Sequence, residues 1–435
     1  MTIIHNFSEV EEVLAVYRPA AREFTGKDMT LLRMEPLMRI VGNPEKKLKI
    51  IHIAGTSGKS STAYYIADLL QRADQKVGLT VSPHVENIAE RIQLNGQPLP
   101  EQMFCKLLSE FLALIKNVKP QPSYYELLIA FAFWVFERSD VDYAVVETGL
   151  GGLFDSTNVA EREDKICVIT DIGFDHMHIL GNTLPEIAQQ KAGIIHAGNT
   201  ALMFSQSPEI NQVINKWCEP QKAKLLIFNQ QTEQQTVQIS LKNLPLFQQR
   251  NWLLAHRVYE FVRERDKLPE LNKTDLAPSL ETAIAGRMEI IEWRGKTLVM
   301  DGAHNPQKMA EFIRSFKQKF LGKKPAVLLS VRTKKDFNAV VEQLLEIASC
   351  LILTRFHVVQ DITHESAALE PVVQFCGSRG FKDVIIEPDH KKALELLQNQ
   401  KSPICVITGS FYLLNHIRPL VFHKPHNPKP ADQQS

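Results

Sequence analysis

The stretch Gly55-Thr56-Ser57-Gly58-Lys59-Ser60-Ser61-Thr62 constrains the fold of this chain more than any other feature. Before it, residues 48–54 (LKIIHIA) form a short apolar run ending at glycine, the pattern of a buried strand. After it, from Lys59 to about Arg72, Ala63, Ile66, Ala67, Leu69 and Leu70 recur at helical spacing. A glycine-rich loop between a strand and a helix is the context of a phosphate-binding loop. Glycines let the backbone turn so that several amides point at one anion, and the helix N-terminus adds positive potential. Lys59 supplies a full charge for outer phosphates, and Ser60 or Ser61 offers a hydroxyl to phosphate or magnesium. Only two residues separate Gly55 from Gly58, fewer than in the usual GxxxxGK[ST]. An incidental glycine turn is the alternative, and the flanking strand and helix argue against it. On this loop alone, kinase, ATPase and ligase chemistry all stay open.

The strand–helix alternation continues. Strands are expected at 76–81, 142–147 and 165–170, and helices at 100–116, 123–138 and 184–195. It restarts with strands at 296–301, 325–330, 349–353, 382–386 and 403–408. Such alternation implies mostly parallel sheets covered by helices, an α/β class. With 435 residues, two domains are the natural division. The stretch 266–285, with Pro269 and Pro278, places the boundary near 282–286. The tail 423–435 (HKPHNPKPADQQS) has no periodicity and is expected to be disordered.

Fifty basic and 49 acidic side chains leave a formal charge of +1, which gives no push toward nucleic acid or an anionic membrane. The six cysteines are scattered without a CxxC pair, as expected of reduced thiols. The N-terminus lacks the basic and apolar regions of a signal peptide, and no apolar run is long enough to span a bilayer. A soluble, cytoplasmic protein is the expectation from these features, and a monomer is the expected state.

Downstream, Glu147 ends the strand DYAVVE and enters the turn Thr148-Gly149-Leu150-Gly151-Gly152. In an open α/β sheet, a carboxylate at the carboxyl end of a strand lies where ligands bind, and magnesium takes hard oxygen ligands. A strand-end glutamate paired with a surface lysine is the other reading. His176 follows another strand, and Lys191 lies fifteen residues on. By position alone, His176 is as well read as a solvated loop histidine, Asp175 as a turn cap, and Lys191 as an ordinary helix-surface lysine.

The short loop GTxGK[STG] resembles that of the Mur-ligase superfamily, whose members join a carboxylate to an amine. Residues 147–159 (ETGLGGLFDSTNV) resemble the segment E-x-G-L-G-G-R-L-D-A-T-N-V of the folylpolyglutamate synthase/dihydrofolate synthase family. Residues 175–195 (DHMHILGNTLPEIAQQKAGII), Ser82-Pro83-His84 with Glu90-Arg91-Ile92, Gly286-Arg287-Met288-Glu289, Asp301-Gly302-Ala303-His304-Asn305-Pro306 and Thr408-Gly409-Ser410 resemble its further signatures in order. The match spans about residues 30–418.

The resemblance implies a P-loop ATPase domain with a mostly parallel sheet over 1–282 and a smaller Rossmann-like α/β domain over 283–422. ATP and Mg2+ would be the cofactors. Gly55, Thr56, Ser57, Gly58, Lys59, Ser60 and Ser61 would hold the phosphates. Ser82 and Glu147 would bind one magnesium, and His176 would help bind a second. Lys191 matches a lysine that is carbamylated in the family, which turns a cation into an anionic oxygen ligand. Arg287 and Asn305 would contact nucleotide, Asp301 the ribose, and His304 would lie near the phosphates. Lys59, Glu147, His176 and Lys191 would carry catalysis. The substrates would be L-glutamate and dihydropteroate or reduced folates, with His84, Arg91, Phe154 and Asp155 as candidate acceptor contacts. A pterin wants a stacking surface. Phe154, Tyr124 and Tyr125 are candidates, with core packing the competing role for the tyrosines.

Four positions depart from the family pattern. Ser60 stands for glycine, Leu153 for the usual arginine, and Phe154 and Ser156 for leucine and alanine. The changes at 153, 154 and 156 touch the acceptor assignment more than the reaction. The competing functions are a Mur-type amide ligase with another carboxylate acceptor and a nucleotide-binding regulatory protein.

Overall fold

In the computed structural model, which describes residues 3–18, 29–333, 337–360 and 363–422, the apolar run before the phosphate loop is strand β1 (Ile50–Ala54), buried throughout. It lies inside an eight-stranded sheet with β2 (Val77–Thr80), β3 (Gln93–Leu94), β4 (Gln97–Pro98), β5 (Tyr143–Glu147), β6 (Ile166–Ile169), β7 (Thr200–Phe204) and β8 (Lys224–Phe228). The order is β4-β3-β2-β5-β1-β6-β7-β8. From β2 to β8 all neighbours run parallel. β3 and β4 turn back at the edge, through Asn95-Gly96, both at positive φ, as a two-residue hairpin needs. Strands buried on both faces read as continuous apolar runs, which is why β1, β5 and β6 were legible.

A second sheet holds β9 (Glu289–Trp293), β10 (Lys296–Met300), β11 (Ala326–Leu329), β12 (Cys350–Leu353), β15 (Val384–Ile386) and β16 (Ile404–Thr408), ordered β15-β12-β11-β16-β10-β9. Only β9 runs antiparallel to its neighbour. β13 (His357–Val359) and β14 (Thr363–Glu365) form a separate two-stranded pair. Among the described residues, one compact unit comprises those up to Ile284 with Arg314–Lys319 and those within 359–363; the other described residues form the second. The tail 423–435 lies outside the described residues.

In the first unit, the helix Lys59–Arg72 packs against the helix Leu246–Asp266. Trp252, Leu254, Ala255, Val258 and Tyr259 share one apolar cluster with Ala63, Ile66, Leu69 and Leu70. The helix Tyr124–Arg138 is buried on almost every face. Ser123 and Glu126 form a capping box at its start, and Glu126 also accepts Arg33 Nε at 2.8 Å. Phe131 meets Phe104 edge-on at 5.4 Å and packs on Phe111 and Trp134. Strands β7 and β8 and the helix Leu246–Asp266 were not anticipated from sequence. β8 is half-exposed at the sheet edge, which erases the buried-strand signal. Among the described residues no helix is long and apolar enough to cross a membrane.

Phe131 is fully buried in this aromatic cluster. Phe131→Ala is expected to lower unfolding free energy by about 3–5 kcal/mol, read as a shift in urea midpoint at unchanged slope.

Candidate active site

The phosphate loop leaves β1 and enters the helix Lys59–Arg72 at Gly58, which has φ +86 and no side chain to cap the helix. A Cβ there would collide with Asn251 Oδ1, so glycine is demanded twice over. The uncapped first turn leaves its amides aimed outward, as an anion site requires. The loop is held from behind: the Asp171 carbonyl accepts Thr56 N–H at 2.8 Å and Ser57 N–H at 3.1 Å. Thr56 Oγ1 donates to Gly173 O at 3.0 Å. The Ser57 and Ser61 hydroxyls are buried with no hydrogen-bond partner among the described residues.

Parallel pairing places Ile53 of β1 beside Glu147 of β5. Glu147 is therefore carried to the mouth of the loop, where it is only 2% exposed. Its Oε1 accepts Ser60 Oγ at 2.9 Å and lies 3.9 Å from Lys59 Nζ. Its Oε2 accepts the Ser82 amide at 3.1 Å. A strand-end glutamate on a surface lysine would be exposed; this one is buried and meets the phosphate-loop lysine.

The glycine-rich turn after Glu147 docks on the helix Leu184–Ala192. A Cβ on Gly152 would lie 2.7 Å from Gln190 O, and Leu153 N–H donates to that same oxygen at 2.8 Å. One residue further, Lys191 is 3% exposed and donates to Gly55 O at 2.8 Å. It is no helix-surface lysine.

The Ser82–Arg91 loop is braced by Glu90, which accepts the amides of Val85, Glu86 and Asn87 at 2.6–2.9 Å. Arg91 Nε donates to His84 Nδ1 at 3.0 Å, and both are buried. Asp155 accepts Leu150 N–H at 2.8 Å and Thr157 N–H at 3.0 Å. It caps the short helical turn Ser156–Val159 and so shapes the loop between Glu147 and Phe154. Tyr124 and Tyr125 divide as adjacent helix positions do. Tyr124 is buried in the core. Tyr125 turns its hydroxyl to Asp155 at 3.4 Å, and burial, with Asp155 beside it, raises its pKa. Phe154 is 44% exposed. His176 starts the helical turn Met177–Leu180 in a left-handed conformation, with Asp175 at 3.8 Å.

In the second unit, β10 and β16 are parallel neighbours, which brings the loops after them together. Asp301 accepts Met288 N–H and Ala303 N–H, each at 2.7 Å. His304 Nδ1 lies 2.8 Å from Gly302 O, so Nδ1 carries the proton. Asn305 Oδ1 accepts Lys308 N–H at 2.9 Å. The Arg287 guanidinium sits 3.8 Å over the Phe411 ring, which also meets His304 edge-on.

Sequence reasoning missed Arg250, Asn251 and Phe411. Arg250 holds the Asp171 carboxylate with two nitrogens at 2.6–2.9 Å, steadying the residue that orients the phosphate loop. A polar run at 248–251 directly before the apolar stretch Trp252-Leu253-Leu254-Ala255 was the available signal. Phe411 follows Thr408-Gly409-Ser410 directly.

Two family descriptions match this chain: the Mur ligase middle domain over residues 53–256 and the Mur ligase glutamate ligase domain over 286–411. A buried carboxylate at a phosphate loop, followed by a glutamate-ligase unit, defines an ATP-dependent ligase of the Mur class. The dihydrofolate synthase/folylpolyglutamate synthase of Bacillus subtilis is 32% identical, over 89% of this chain and 93% of its own length. The folylpolyglutamate synthase of Lacticaseibacillus casei is 30% identical with the same coverage. The fold matches Mycobacterium tuberculosis folylpolyglutamate synthase complexed with ADP (TM-score 0.83, 24% identity, 96% and 99% of the two chains). It also matches an FPGS–AMPPCP–folate complex (TM-score 0.77, 25% identity, 96% and 100%). The chain belongs to the dihydrofolate synthase/folylpolyglutamate synthase family.

Burial pushes the Asp301 carboxyl up to about 6, against the pull of Arg287. The folded chain thus keeps a proton that the unfolded chain releases near pH 4. That contribution to stability is complete below the ordinary carboxylate pKa and is lost as pH rises through about 6. Asp301→Asn should remove from the urea-midpoint profile between pH 4 and 7 a fall worth about 2–3 kcal/mol.

Proposed function

We propose that this protein adds L-glutamate to dihydropteroate, to the glutamate tail of reduced folates, or to both, through an acyl phosphate. The observation that carries the reading is Glu147: buried, hydrogen-bonded to Ser60, and 3.9 Å from Lys59 at the phosphate loop. The acceptor carboxylate attacks the γ-phosphorus of ATP, the bond to ADP breaks, and an acyl phosphate forms. The glutamate amine then attacks the acyl carbon, and phosphate leaves as the amide bond closes. Lys59 and the first-turn amides draw charge from the phosphates, as phosphoryl transfer demands. No protein nucleophile is needed.

The residues present fit magnesium. Glu147, Ser60, Ser61 and Ser82 supply hard oxygen, and the Ser61 hydroxyl is buried without a partner among the described residues. An ion held here would take its remaining ligands from substrate phosphates and water. When bound, magnesium neutralises charge on the transferring phosphoryl group. We assign Glu147 and Ser82 to one such ion and His176 to a second. A carbamate on Lys191 would keep one N–H for Gly55 O while offering two oxygens. Arg287, Asp301, His304 and Asn305 keep the nucleotide roles implied by resemblance, and His84, Arg91 and Phe154 those toward acceptor. Asp155 supports its turn. Residues 1–282 would form the ATP-binding domain and 283–422 the ligase domain, in a cytoplasmic monomer without nucleic-acid or membrane partners.

Chromatography of products formed from ATP and glutamate with dihydropteroate or with tetrahydrofolate separates the two activities. Turnover only with other carboxylates would point to a Mur-type ligase of different acceptor. Lys59→Ala is expected to cut acceptor-dependent phosphate release by about 100-fold or more, with the urea midpoint little changed; near-normal release would refute the phosphate-loop assignment.

A further inference from the structure

Among Ile50, Ile51, His52 and Ile53, one buried position of β1 carries an imidazole. His52 is fully buried, and its Nε2 lies 2.8 Å from Thr157 Oγ1. The Thr157 hydroxyl donates its own proton to Asp155 Oδ1 at 2.5 Å. It therefore accepts from His52, whose proton must sit on Nε2. Nδ1 is left with a lone pair and no hydrogen-bond partner among the described residues. A leucine at this position would avoid that desolvation cost. Burial, then the nearby Lys165 and His196, holds His52 far below the usual histidine range. Lys165 is itself tied to Ala160 O at 2.5 Å. A second proton on His52 would add a cation beside these groups with no acceptor.

Asp155 passes the constraint onward. It accepts the Leu150 amide at 2.8 Å, three residues past Glu147. It also faces the Tyr125 hydroxyl at 3.4 Å, and that hydroxyl would lie 2.5 Å from a Cβ on Gly149. A path of hydrogen bonds thus runs from the centre of β1 through Thr157 and Asp155 to the turn that follows Glu147 on β5.

We propose that His52 is a positioning residue of the ligation reaction: through Thr157 and Asp155 it fixes the Gly149–Leu150 turn, and so the direction in which Glu147 faces Ser60 and Lys59. The proposal rests on Glu147 as a magnesium ligand. Outer-shell partners of metal ligands typically carry about 10–100-fold in affinity.

The test uses the full chain with His52→Leu, His52→Gln and Thr157→Val. Two quantities are read: the magnesium concentration for half-maximal turnover, and Mn2+ affinity by calorimetry in the presence of ADP. His52→Leu and Thr157→Val should each weaken Mn2+ binding and raise half-saturating magnesium by about 10-fold. His52→Gln, whose amide replaces the Nε2–H donor, should stay within about threefold of wild type. The double variant His52→Leu/Thr157→Val should be no worse than either alone. Thr157→Val keeps the side-chain shape and carries the test if His52→Leu does not fold. Wild-type cation affinity in Thr157→Val overturns the relay alone, as does a 15N NMR spectrum placing the His52 proton on Nδ1. Wild-type affinity in Glu147→Gln overturns the metal reading, and the relay with it.

Discussion

A carboxylate taken out of water must be paired, or the fold bears its desolvation. Glu147 is such a group, and the site is organised around it. Its three partners arrive from two loops: the Ser60 hydroxyl and Lys59 from the phosphate loop, and the Ser82 amide from the loop after β2. What makes the meeting possible is sheet register. β5 and β1 are parallel neighbours with Ile53 beside Glu147, so the carboxylate leaves the sheet level with the start of the loop. Slipping the register by one residue would turn Glu147 to the opposite face.

The second buried charge has the opposite sign. Lys191 meets the loop at Gly55 O, while Glu147 meets it at Ser60 and Lys59. The glycine-rich turn joins the two, since it begins at Glu147 and packs on the backbone at Gln190. Close approach of backbone to backbone, available only where no Cβ intervenes, is therefore what couples the carboxylate to the lysine.

Much of this was legible in sequence because it depends on local pattern. The helix Lys59–Arg72 was read with its observed ends, since a glycine loop marks its start and apolar periodicity its length. Glu147 was legible as a strand-end acid before glycines. Burial of Lys191 was not, because a lysine at the end of a helix looks the same whether it faces solvent or a carbonyl far away in sequence. Tyr124 and Tyr125 are adjacent letters about 100° apart around one helix, and only the packed core decides which faces inward. Asn251 and Arg250 lie nearly two hundred residues from the loop they support; tertiary packing of two helices brings them there. His52 read as part of an apolar strand, and its role appears only when Thr157 is seen beside it.

The departures from the family pattern sort by the same logic. Ser60 replaces a glycine, and its hydroxyl is the one bonded to Glu147, so the change adds a contact at the centre of the site. Leu153 replaces an arginine, yet its amide still holds Gln190 O, and its side chain lies against Gly193. The path of the turn is set by backbone hydrogen bonds and by Asp155, not by the side chain at 153. The hydrogen bonds that place the turn after Glu147 are therefore independent of which side chain stands at 153. Placement of Glu147 is thereby carried by main-chain atoms and Asp155 of one short segment, while its side chains at 153 and 154 are left to vary.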